Sequence, residues 1–183
     1  MPRWLNGRLL VALPTIGDPQ FTRTVVLVVD HDEEGALGVV LNRPTDTAVE
    51  VAVPGMVEMF AEDEVVHEGG PVQPDALLTV AEFRDPADAA LLVMGRIGMV
   101  RGAEGDEPPV TPDVDRARAY AGYAGWAPGQ LEHELAADDW IVVEPRPDDL
   151  FLPDSSRLWH VALERVGGAF ARLARVPADP SLN

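Results

Sequence analysis

Thr24-Val25-Val26-Leu27-Val28-Val29-Asp30-His31-Asp32-Glu33-Glu34-Gly35-Ala36-Leu37-Gly38-Val39-Val40-Leu41 holds two apolar runs rich in β-branched residues, joined by one acidic turn. The runs Thr24–Val29 and Leu37–Leu41 read as strands buried on both faces, because neither shows polar alternation. The connection between them is too short for a crossover helix, so the pair is an antiparallel hairpin. Pro44 is expected to stop the second strand.

Working outward, the same signals recur. Leu9-Leu10-Val11-Ala12-Leu13 reads as a buried strand ending at Pro14, followed by the loop Thr15–Phe21. Val65-Val66-His67, Ala76–Val80, Ala90–Met94 and Ile141–Val143 are further strand candidates. Arg116-Ala117-Arg118-Ala119-Tyr120-Ala121 has helical propensity but strict large/small alternation, and it runs straight into Gly122; it is read as a strand. Ile97–Glu107 is ambiguous, with Arg101–Pro109 expected as a surface loop. Short helices are expected over Pro54–Phe60 and over Gln130–Leu135, each with proline in its first turn. A longer one runs from Arg157 to about Val166, capped by Ser155 or Ser156, with Leu158, Val161, Ala162 and Arg165 on one stripe. Gly167-Gly168 interrupts it, and Ala169–Val176 makes a short terminal turn. Strands adjacent in sequence, with few helices, point to an α+β fold rather than a doubly wound sheet.

With 183 residues, 46% of them hydrophobic, the chain is read as a single domain over residues 1–183 with a frayed tail from about 177. No apolar run reaches membrane-spanning length, and the run near the start is too short for a signal peptide. The expectation is a soluble cytoplasmic protein without membrane attachment.

Composition excludes several chemistries. The absence of cysteine removes disulfides, thiolate metal sites and thiol nucleophiles. All 14 basic residues are arginine, which removes a Walker-type lysine, a pyridoxal Schiff base and any lysine base. A net charge of −17 with scattered arginines argues against nucleic acid as a partner. Serine chemistry is nearly closed: Ser155 and Ser156 look like helix caps, Ser181 lies in the tail, and there is no nucleophile elbow. Gly122, Gly125 and Gly129 do not match a dinucleotide fingerprint, and no cofactor is expected.

The acidic turn imitates half of a calcium loop, with Asp30, Asp32, Glu34 and Gly35 suitably spaced. The position that should hold the closing carboxylate is Leu41, so a solvated turn is the plainer reading. Asp30, His31 and Asp32 remain only weak metal candidates. His133 and His160 sit on predicted helices and are expected at the surface. His67 either points at whatever the following loop surrounds or is a half-buried strand residue bonded to backbone.

Two segments concentrate glycine, proline and a single amide: Glu68-Gly69-Gly70-Pro71-Val72-Gln73-Pro74 and Gly122-Tyr123-Ala124-Gly125-Trp126-Ala127-Pro128-Gly129-Gln130-Leu131. Read as two tight turns that meet in space, they would make a neutral, aromatic-lined cleft. Gly69, Gly70, Gln73, Tyr123, Gly125, Trp126 and Gln130 would line it with His67, Asn42 and Arg43, the arginine holding an anionic group and the helix after Pro128 offering free N–H groups. The other reading is architectural: glycines for turns, Trp126 as a core anchor, Gln130 satisfying loop carbonyls.

At these residues the chain resembles the YqgE/AlgH family of bacterial proteins, over most of its length from about Gly7 to Val166. Leu10–Pro14 with Asp18-Pro19-Gln20-Phe21, the block Asp30–Pro44, Gly69-Gly70-Pro71-Val72 and Gly122–Glu132 carry the resemblance; Ala127 stands where the family often has glycine. The resemblance implies a mixed, largely antiparallel sheet curled into a partial barrel with helices packed outside. It implies no assigned biochemical role and no catalytic residues, although one family name is attached to transcriptional control of an exopolysaccharide.

Special residues clustered without a catalytic set lead to a non-enzymatic ligand-binding or regulatory protein, its partner a small molecule or a protein. The rival is a hydrolase-like enzyme using carboxylates or a weakly held metal, with Asp18, Asp30, His31 or Asp32 as ligand or base. A transcriptional regulator acting on DNA is a third reading, opposed by the charge. Oligomeric state is not legible.

Overall fold

The computed structural model describes residues 4–102 and 111–176. Ten strands occur in them: β1 (Leu9–Ala12), β2 (Val25–Asp32), β3 (Gly35–Val40), β4 (Pro44–Ala48), β5 (Val65–Glu68), β6 (Val72–Phe83), β7 (Leu91–Met94), β8 (Ile97–Met99), β9 (Val114–Trp126) and β10 (Trp140–Val143). The helices are short: α1 (Val49–Ala52), α2 (Gln130–Ala136), α3 (Pro147–Leu150), α4 (Leu158–Val166) and α5 (Gly168–Leu173). The architecture is mixed α+β, as expected. The strands form one large sheet in the order β10-β1-β2-β3-β9-β6-β8-β7, not closed into a barrel, with β4 and β5 beside this path. Pairing is antiparallel except between β5 and β9.

The hairpin is β2 and β3, in register from Val26↔Val40 to Asp32↔Gly35, with a bulge between Val28 and Asp30. Its two-faced burial has a direct cause. Leu9, Val11, Val25, Leu27 and Val29 enter one cluster with Trp159, Leu158 and Leu163 of α4. The alternate residues Leu10, Ala12, Val26 and Val28 enter a second cluster with Trp126, Leu131 and Trp140. Each buried valine or leucine among them stabilises the fold by about 1.5–3 kcal/mol relative to leaving it in water.

Strand β9 is the seam of the sheet. Its C-terminal end pairs with β3, its middle with β5, and its other edge with β6. This corrects one reading: Gly122–Trp126 is strand, not turn. Gly122, at φ +70, lets the strand bend without stopping, and opposite it β6 carries a bulge between Val72 and Leu77.

Other expectations also change. Pro44 opens β4 instead of only ending β3, a position that an edge strand tolerates. Pro54–Phe60 is not one helix: α1 precedes it and a single 3-10 turn, Val57–Met59, lies within it. Pro128 stands outside α2, whose N-cap is Gly129 at φ +75. Ser155 begins a 3-10 turn, Ser155–Arg157, ahead of α4, and neither serine caps that helix. Residues 103–109 of the expected surface loop and the tail from 177 lie outside the described residues. No helix among the described residues is long and apolar enough to cross a membrane.

Candidate functional site

The two glycine segments meet, backbone against backbone. A Cβ on Gly69 would stand 2.2 Å from the Gly122 carbonyl oxygen, and one on Gly70 2.2 Å from the Tyr123 carbonyl carbon. Gly69 N–H donates to the Ala121 carbonyl and Val40 N–H to the Gly69 carbonyl. Glycine is required because the two segments interlock there, and their backbones leave no space between them at that point.

The side chains named from the sequence take separate places around this junction. Trp126 is buried and donates from Nε1 to Glu134 Oε2, while Gln130 accepts from Ala127 N–H and donates to Glu134 Oε1. Gln73 is exposed at φ +47, Gly125 is exposed, and Tyr123 packs against the first cluster. Asn42 bridges the start of β2, accepting from Val25 N–H and donating to the Arg23 carbonyl. Arg43 pairs with Glu68 at 3.4 Å.

Asp30 and Asp32 face solvent, accepting from Asn6 Nδ2 and Glu34 N–H. His31, between them, turns inward, where Leu5 N–H donates to its Nδ1 and Glu132 stands 3.1 Å from its Nε2. Strand alternation therefore puts the histidine on the opposite face from both carboxylates. Among the described residues no group of three His, Asp or Glu side chains is arranged to hold a metal ion. Asp18 caps the 3-10 turn at Pro19–Phe21 by accepting from Gln20 N–H. His133 is exposed, and His160 stands edge-on to Trp159.

His67 is different. It lies on β5 opposite Tyr120 of β9, only 2% exposed, beside a hollow of about 340 Å³. Pro44, Val65, Phe151 and Pro153 form apolar walls of that hollow; Glu62, Asp63 and Asp154 stand at its rim; His67, Arg118 and Ser155 reach its floor. Nδ1 of His67 is 3.1 Å from the Val65 carbonyl and Nε2 is 2.8 Å from Ser155 Oγ. A carbonyl can only accept, so Nδ1 carries the proton and Nε2 accepts from the serine hydroxyl. Burial first, and the neighbouring Arg118 guanidinium second, hold the imidazole down at about 4, so it is neutral at pH 7.

Arg118, two residues before Tyr120 on the same face of β9, is also buried. Its Nε donates to Glu64 Oε1 at 2.8 Å, NH1 to the carbonyls of Leu150 and Leu152, and NH2 to Leu152. Four of its five N–H groups are thus engaged, and the remaining one has no partner among the described residues. The Tyr120 hydroxyl, wholly buried nearby, has none either.

Ser155 and Arg118 were not legible as site residues. The visible signal for Arg118 was the alternation over Arg116–Ala121, which puts Arg116, Arg118 and Tyr120 on one face. Ser155 carried no local signal; only the fold-back of residues 150–155 over β5 and β9 brings it to His67.

The model of the family described as DUF179, AlgH-like, matches residues 9–171. The chain is 47% identical to a UPF0301 protein of Streptomyces avermitilis, over 98% of this chain and 95% of that one. It is 41% identical to a UPF0301 protein of Mycobacterium marinum, over 97% and 90%. A crystal structure of a protein from Corynebacterium diphtheriae superposes with TM-score 0.82 at 30% identity, covering 94% of this chain and 92% of that one. The solution structure of the AlgH protein from Pseudomonas aeruginosa superposes with TM-score 0.69 at 27% identity, covering 98% and 97%.

Proposed function

The chain belongs to the AlgH-like family, whose function is unassigned, and from this site geometry we propose that it is a ligand-binding protein whose ligand sits in the hollow over His67, Arg118 and Ser155. One observation carries the reading: three buried polar side chains from β5, β9 and the turn before α4 converge on the floor of a single concavity. Their bonds to one another and to the backbone fix these groups in place, and a few pre-set polar groups converging beneath an apolar-walled concavity are the usual make-up of a ligand site.

The sequence motifs serve this site indirectly. The interlocked glycines hold β5 against β9, which sets His67 beside Arg118 and Tyr120. Asn42-Arg43-Pro44 brings Pro44 into the wall and ties Arg43 to Glu68 at the end of β5. The apolar walls and the volume suit a small molecule or the tip of a partner's loop.

The test is a small-fragment library read by ligand-observed NMR, against the wild type and Pro153→Trp. Pro153 is exposed at the mouth, so the indole closes the hollow without entering the core. Hits that disappear in Pro153→Trp at unchanged Tm support the reading. An absence of hits, or hits that persist in the variant, retires it.

A further inference from the structure

We propose that Ser155 is a nucleophile activated by His67, and that the hollow takes a neutral acyl compound, an ester or a similarly activated carbonyl, which it transfers to Ser155 and then to water. This rests on the hollow being a ligand site and adds a reaction to it.

The geometry supplies the nucleophile–base pair from which acyl transfer starts. Ser155 Oγ is within hydrogen-bond reach of His67 Nε2, and the Val65 carbonyl fixes the tautomer that leaves Nε2 free to accept a proton. In the usual triad a carboxylate orients the ring and stabilises the imidazolium; here a neutral carbonyl only orients it, and burial beside Arg118 disfavours the imidazolium, so His67 is a weak base and the reaction it supports is slow. Arg118 lines the same hollow, and the proposal assigns its remaining N–H as donor to the carbonyl oxygen as negative charge develops there. The rim carboxylates Glu62, Asp63 and Asp154 disfavour an anionic ligand, which selects an uncharged ester over a carboxylate or a phosphate.

Ser155 Oγ bonds to the acyl carbon while its proton passes to His67 Nε2. The intermediate collapses, the bond to the leaving oxygen breaks, and that oxygen takes the proton from Nε2 and departs as an alcohol. Water then attacks the acyl-serine, giving one proton to Nε2, which returns it to Ser155 Oγ as the acid leaves. The sum is ester plus water to acid plus alcohol, with the enzyme unchanged.

The experiment incubates the full-length protein with p-nitrophenyl acetate and, separately, with a small fluorophosphonate, and reads intact mass and peptide maps. One adduct on Ser155 is expected, absent in Ser155→Ala and unchanged in Ser156→Ala, whose serine bonds to Asp154 outside the pair. His67→Gln should slow labelling by roughly 100-fold or more. Should His67→Gln fail to fold, 15N NMR of the wild-type imidazole decides instead, with an Nδ1-protonated tautomer expected and an Nε2-protonated one overturning the proposal. No adduct, or an adduct equally present in Ser155→Ala, also overturns it. Fragments that bind in the hollow of an unlabelled protein leave the binding function standing while this reaction falls.

Discussion

His67 Nε2 stands 2.8 Å from Ser155 Oγ although 88 residues separate them in the chain. The contact closes the segment that follows α3 over β5 and makes the imidazole part of the interior. A buried imidazole next to a guanidinium resists protonation, and that resistance appears as pH-dependent stability. Below its ordinary value of 6.5 the unfolded chain takes up a proton that folded His67 refuses until about pH 4. Arg118 opposes the proton, while Glu64, Glu62, Asp63 and Asp154 surround the site with carboxylates. This contribution is therefore complete above pH 6.5, falls as pH drops through the window, and is gone below about 4, a loss on the order of 3 kcal/mol. Urea unfolding of the wild type and His67→Gln at several pH values from 7 to 4 checks it. The wild type should lose stability more steeply by that amount; parallel curves would contradict the assignment.

Tyr120 lies beside His67 at a ring separation of 5.7 Å, and its hydroxyl is buried without a partner among the described residues. Burial holds the phenol above its ordinary range, so the hydroxyl stays protonated and is only a desolvated dipole. Leaving such a group unpaired costs about 1–3 kcal/mol. Tyr120→Phe removes the cost while keeping the ring, so the variant should match or exceed the wild type, by up to about 1 kcal/mol in chemical unfolding. A loss larger than about 1 kcal/mol would mean that the hydroxyl holds a partner, such as an internal water shared with Arg118 and Glu64.

These neighbours show where sequence reading succeeds and where it stops. The hairpin over Thr24–Leu41 was legible because its β-branched runs can bury only as strands, and its short turn permits only antiparallel pairing. The alternation over Arg116–Tyr120 was legible as strand for the same geometric reason. Glycine identified Gly69, Gly70 and Gly122 as special positions, but it does not reveal whether a residue is special for a turn or for a close crossing; Gly122 bends a strand that continues to Trp126. The inward turn of His31 followed from β alternation once the strand extended to Asp32, a boundary that the charged residues concealed. The floor of the hollow was not legible, because Arg118 meets Glu64 across 54 residues and Leu150 across 32. Such meetings belong to tertiary closure and leave no local periodicity.

The glycine crossing makes a sharp stability prediction with its own control. Gly70→Ala places a methyl 2.2 Å from the Tyr123 carbonyl carbon at φ +148, against backbone that cannot rotate aside. It should destabilise by at least about 3 kcal/mol, or prevent soluble expression. Gly129→Ala meets open space at φ +75, so only the left-handed backbone is penalised, by about 1–2 kcal/mol. Thermal unfolding of the two variants side by side checks this. Equal losses would mean that backbone conformation, not the crossing, is why Gly70 is glycine.

Glu134 joins the other half of the motif to the second core cluster. Its Oε2 accepts from Trp126 Nε1 at 2.9 Å and from Trp140 Nε1 at 2.8 Å, while its Oε1 accepts from Gln130 Nε2 at 2.8 Å. The two indoles stand edge to face, 6.1 Å apart, with Phe21 against both. One carboxylate thus satisfies two buried N–H donors and ties α2 to the ends of β9 and β10. Glu134→Ala leaves both donors unpaired and should cost about 3 kcal/mol, since each buried unsatisfied donor costs about 1–3 kcal/mol. Glu134→Gln keeps one acceptor oxygen for the indoles, without the charge that strengthens both bonds, and should cost about 1–2 kcal/mol. Urea unfolding followed by tryptophan fluorescence gives the order, and near-UV circular dichroism reports whether the indole pair keeps its geometry. If Glu134→Ala loses less than about 0.5 kcal/mol with an unchanged near-UV spectrum, the indoles are satisfied by water and the carboxylate does not hold the motif together.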